Sequence, residues 1–179
     1  MGVPFTNIQV FGGANTRPER LARLSADAVR ERLKSEGFEP VPREEASDRE
    51  LAVVIPPRGN WVTLLDEANE GARAGIEQLA KRLSHDLGGP TLSITGDGSV
   101  AVMSLHVDGD TLSTLPDDLH EGEAPDSWQM AMAPGMPVGE LGRAWANPDG
   151  ALARTARLLN IDPGVIEVGF NALGRLGLS

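Results

Sequence analysis

An apolar stripe between Ala72 and Leu87 constrains this chain more than any other feature. Ala72, Ile76, Leu79, Ala80, Leu83 and Leu87 fall at i, i+4, i+7, i+8, i+11 and i+15, the spacing of one helix face. Glu77, Lys81, Arg82, His85 and Asp86 fill the opposite face with charge. Gly88-Gly89-Pro90 then supplies a C-terminal glycine and a residue that cannot continue a helix. A helix apolar on one side has to lie on something, and segments of strand length flank it. Trp61 to Leu65 precedes it, and after it Leu92 and Ile94 alternate with Thr91, Ser93 and Thr95, the pattern of a half-buried strand.

The connections decide how those strands pair. Arg58-Gly59-Asn60 separates the apolar run Leu51 to Ile55 from the Trp61 strand. Gly96-Asp97-Gly98 and Asp108-Gly109 bound a third, Val100 to Val107, ahead of Thr111 to Leu115. Turns this short join antiparallel neighbours, whereas parallel strands need long crossovers. Near the start, Phe5 to Phe11 reads as a strand closed by Gly12-Gly13. Thr16 is an N-cap candidate, with Pro18 and Glu19 in the first turn of a helix reaching about Ser35. Leu21, Leu24, Ala28 and Leu33 approximate its inner face, and Gly37 ends it.

The resulting order is β-α-β-β-α-β, extended by one or two strands. That is the ferredoxin-like arrangement, an α+β fold with an antiparallel sheet and both helices on one face. Residues 1–115 are expected to form this α/β sandwich. Residues 116–137 read as an acidic, methionine-rich surface loop, and 138–179 as a small helical appendage packed on the same domain. Helices are predicted from Pro137 (Val138, Leu141, Trp145) and from Asn147-Pro148 (Leu152, Ala156, Leu159); Asp162-Pro163 repeats the start signal, but Val165 to Leu173 mixes β-branched residues with glycine and leaves both states open.

Composition narrows the functional classes. There are no cysteines, which excludes disulfides, thiolate metal sites and cysteine nucleophiles. The net charge of −10 disfavours tracking of nucleic acid phosphates and is complementary to a basic protein partner. No apolar run is long enough to cross a bilayer, and MGVPFTNIQVFGG lacks a basic start and a long apolar centre, so a cytoplasmic location is expected.

Candidate chemistry is sparse. Asp66, Glu67, Glu70, Asp97, Asp108 and Asp110 supply oxygens, but their spacing fits no calcium loop, and no metal or other cofactor is expected. Gly12 to Arg17 lacks the spacing of a nucleotide loop. Ser84-His85-Asp86 has the residue types of a triad, yet consecutive helical residues point in different directions. His106 alternates with Leu105 and Val107 in a strand and reads as outward or hydrogen-bonded. No catalytic residue is assigned. Trp128, Met130 and Met132, in the segment SWQMAMAPGM, are the candidate partner-binding residues, because tryptophan and methionine make adaptable contacts; the competing expectation is that the segment docks onto the protein's own body. The function expected is a non-catalytic, soluble protein-binding module that neutralises or chaperones a basic partner. The alternative is a small-molecule sensor or enzyme with a cleft between the sheet and the 116–137 loop, drawing on Arg58, Asp66, His106 and Asp108.

Overall fold

The structure is a computed structural model that describes residues 3–13, 15–42, 45, 49–97, 100–132 and 135–176. Most of the charged segment 43–50, and Gly98 of the 96–98 turn, lie outside the described residues.

Six strands form one antiparallel sheet: β1 (Phe5–Phe11), β2 (Leu51–Val54), β3 (Trp61–Asp66), β4 (Thr91–Gly96), β5 (Ala101–Val107) and β6 (Asp110–Leu115). Their spatial order is β2-β3-β1-β4-β5-β6, and every neighbouring pair is antiparallel. The β5–β6 hairpin turns on Asp108 and Gly109, both at positive φ (51° and 91°), the conformation a two-residue hairpin loop requires.

Helix α1 (Pro18–Ser35) and helix α2 (Arg73–Leu87) cover one face. There Ile8, Val10, Val62 and Leu64 meet Leu21, Ala22 and Val29 of α1 and Ile76, Leu79, Ala80 and Leu83 of α2. The α2 stripe is thus buried from Ile76 to Leu83 as its period demands, while Leu87 is half-buried and Ala72 stays exposed as the N-cap. Helix α1 departs from expectation in two ways. Its N-cap is Arg17, with Pro18 at the first helical position, so Thr16 lies one residue too early. Its inner face is Leu21, Ala22, Ser25 and Val29, and Leu24 is 43% exposed. Ala22, Ser25 and Val29 are buried in its place.

The opposite face is covered by the chain after β6. A 3-10 turn (Asp126–Ala131), α3 (Val138–Trp145), α4 (Ala151–Leu159) and the segment 161–170 lie over it. Trp61, Leu65, Leu92, Ile94, Met103, Leu105 and Leu115 pack there against Trp128, Leu141, Trp145, Leu152, Ala156, Leu159 and Ile166. Helix α4 begins at Ala151, after Gly150, rather than at Pro148: Asn147 Oδ1 accepts the Asp149 amide at 3.0 Å and makes a turn there instead. Asp162-Pro163 likewise opens only a turn, Asp162 Oδ1 taking the Gly164 amide at 2.8 Å.

Because both faces are buried, several inward positions are polar. Asn7 Nδ2 donates to the carbonyl oxygens of Ile166 (3.1 Å) and Val168 (2.9 Å). Gln9 Nε2 donates to Asn7 Oδ1, and Thr63 Oγ1 to Gln9 Oε1, both at 2.9 Å. Trp61 Nε1 reaches the Leu159 carbonyl at 2.7 Å. These bonds tie the C-terminal layer to the central strands.

Candidate functional site

An open site lies where α1 ends beside the edge strand β2. Gly37, at φ 92°, stops the helix, and the Gly37 and Phe38 amides reach back to the Lys34 and Leu33 carbonyls, both at 3.0 Å. This cap turns Phe38 toward the last turn of α1. Pro40 and Pro42 then favour an extended chain, and β2 closes the far side. Between them opens a groove of about 610 Å³, walled by Val29, Leu33, Phe38, Pro40, Val41, Leu51, Val53 and Leu64. Its charged lining is balanced, Arg30 and Arg49 against Glu39 and Glu50. Phe38, Val41 and Ile55, around it or just beyond β2, are 37%, 45% and 44% exposed.

Arg49 also lines a second, smaller niche of about 150 Å³ between α1 and α2, together with Arg32, Glu36, Asn69, Gly75, Gln78 and Arg82. Behind it sits the buried carboxylate of Asp66. Arg49 binds Asp66 with two nitrogens, Nε at 3.1 Å among them, and Asn69 Nδ2 donates at 2.5 Å. The Ala68 amide donates to Asp66 Oδ1 at 3.2 Å. Glu36 lies 3.6 Å from Arg49 and 2.6 Å from Arg32. The hydrogen bond to Asp66 raises the Arg49 pKa, outweighing the opposing effect of its burial, so the guanidinium stays charged in its half-buried position. Gly75 has no side chain because Asn69 occupies the space where one would stand.

A third cluster lies under α2, between β4, β5 and β6. Ser93 Oγ and His106 Nε2 are 2.9 Å apart, and His106 Nδ1 is 3.0 Å from Thr111 Oγ1. His106 is therefore hydrogen-bonded but not outward: it faces α2 and is fully buried. Burial lowers its pKa to about 4, with Glu77 acting against that shift and Lys81 with it, so the ring is neutral near pH 7. Ser93 is only 3% exposed. The serine–histidine pair therefore resembles a catalytic dyad in distance but has no face open to a substrate, and it works as a hydrogen-bond relay within the sheet.

The residues singled out from the sequence are dispersed. Asp66 lies at the far end of β3 from Arg58, and at the opposite end of the sheet from His106 and Asp108. Trp128 is fully buried and Met132 nearly so, whereas Met130 is 44% exposed. Among the described residues no group of three or more His, Asp or Glu is placed to hold a metal ion. No described helix is long and apolar enough to cross a membrane. Sequence reasoning missed Arg49, Arg32, Val29 and Val53, which come from three separate segments; Arg49 stands just outside a strand in a charged run, with no local pattern to mark it. No protein-family model, curated protein or solved structure matches this chain.

Proposed function

We propose that this chain is a non-catalytic protein-binding module and that an extended segment of a protein partner lies in the groove between α1 and β2. One observation carries the reading: an open, apolar-walled trough runs beside an edge strand and leaves Phe38 and Val41 exposed. The balanced lining leaves the contact itself to apolar fit. The net charge of −10 favours encounter with a basic partner through long-range steering. The reading places the module in the cytoplasm with no nucleic acid partner. The sensor or enzyme alternative has less support, because Trp128, Ala131 and Met132 pack into the space between the sheet and the 116–137 loop.

The finer topology belongs to the same proposal. We read β1–β4 with α1 and α2 as a ferredoxin-like core, supported by the order β2-β3-β1-β4 and by both helices lying on one face. Strands β5 and β6 extend it, residues 116–137 form a connecting loop, and 138–179 close the second face.

A photo-crosslinker in place of Val53, used in the native host, would identify the partner, which would then be purified. Phe38→Asp and Val41→Asp should each weaken its binding at least about tenfold, with Met130→Asp neutral. The reverse pattern would sink the groove reading and return the contact to Trp128, Met130 and Met132.

A further inference from the structure

Three arginines, Arg32, Arg49 and Arg82, line the niche between α1 and α2, in a chain with 26 acidic and 16 basic side chains. Like charges brought together repel, and an anion placed beside them offsets that repulsion. Two of the three are offset: Arg49 by Asp66 and Glu36, Arg32 by Glu36. The Arg82 guanidinium makes no hydrogen bond or ion pair with any described residue, and the Gln78 side chain makes none either. A guanidinium has five N–H donors, so Arg32 keeps some after its bond to Glu36.

We infer that this niche is a binding site for a single oxyanion group, a carboxylate or a phosphate, held by Arg82, Arg32 and Gln78. The space of about 150 Å³ is too small for a nucleotide or drug-sized molecule but suits one such group. The anion supplies the missing third counter-charge. Planar guanidinium donors match its paired oxygens, which makes the bonds charge-assisted. Arg49 sets the back wall but is committed to Asp66, so it positions rather than binds. The site stands whether or not the adjoining groove takes a partner.

The test is an amide-resonance titration of the intact chain with inorganic phosphate and, separately, with acetate. The expected result is a saturable shift of Asn69, Gly75, Gln78 and Arg82 for at least one of the two, and the tighter one identifies the source. Arg82→Gln, an exposed position whose loss leaves the core intact, should weaken that binding about tenfold. Arg143→Gln, at a side chain 72% exposed on α3, should leave it unchanged. Equal affinity in Arg82→Gln and wild type, shifts spread over other basic residues, or no saturation with either anion would each overturn the assignment.

Discussion

The indole Nε1 of Trp128 donates to Ser113 Oγ at 2.9 Å, joining the loop after β6 to the inner side of that edge strand. The contact settles how a segment with no periodicity is held. Its acidic first half offers little to bury, so the second half anchors it, with Trp128, Ala131 and Met132 inside the core. A buried tryptophan whose one donor is satisfied removes a large apolar area from water at no hydrogen-bond cost.

Trp128→Ala should therefore lower stability by about 3–5 kcal/mol, the range for deleting a buried large aromatic. Urea midpoints would show it. Protease should cut the 116–137 loop early only in the variant, and early cleavage of the wild-type chain near Trp128 would contradict the anchoring.

His106 should make stability depend on pH below neutrality. The unfolded chain takes up the imidazole proton near pH 6.5, while the folded chain does so only at about 4. The unfolded state thus binds more protons in that window, and stability falls as the pH drops from about 6.5 to about 4. The full effect is about 3 kcal/mol, at roughly 1.4 kcal/mol per pH unit of displacement. His106→Gln should flatten this part of the midpoint-against-pH curve, and an unchanged slope would remove His106 as its source.

Leu83 and Leu24 separate what the sequence reveals from what it hides. Leu83 is 2% exposed, so Leu83→Ala should cost about 2–5 kcal/mol, and Leu79→Ala a similar amount. Leu24, 43% exposed, should cost under about 0.5 kcal/mol when changed to Ala, beyond any change in helix propensity. Chemical denaturation of the variants checks the ranking.

That contrast explains how far the fold was legible. Helix α2 has a full apolar stripe and strong stop residues, so local chemistry alone defines it. The hairpins were legible because Asp108-Gly109 and the Arg58-Gly59-Asn60 segment admit few other conformations. The inner face of α1 was legible only in part: Leu21 lies on it and Ala28 and Leu33 pack beside it, but Ala22, Ser25 and Val29 complete it where Leu24 was expected. For His106 the sequence leaves open whether the ring is outward or hydrogen-bonded, and the structure shows the second, because a strand covered on both sides loses the alternation that marks inside from outside. The candidate site was least legible: Val29, Arg49 and Val53 meet only once the helix and the edge strand have packed.

Asn7 and Gln9 show the same limit from the opposite direction, since polar residues in the middle of a strand normally mark its solvated side. Here their partners lie 159 and 161 residues away, at the Ile166 and Val168 carbonyls, and 54 away at Thr63. Asn7→Ala would leave both carbonyls and the Gln9 amide without partners in a buried setting. At about 1–3 kcal/mol for a buried unsatisfied group, the loss should be at least about 2 kcal/mol. It should also be local. Segment 165–170 is held by these bonds and by the Phe170 amide on Glu70 Oε2 at 3.0 Å, so amide exchange at Val168 and Phe170 should quicken before that of β4 or β5. A uniform loss of protection across the sheet would mean that Asn7 supports the whole core and does not serve to dock the C-terminal layer.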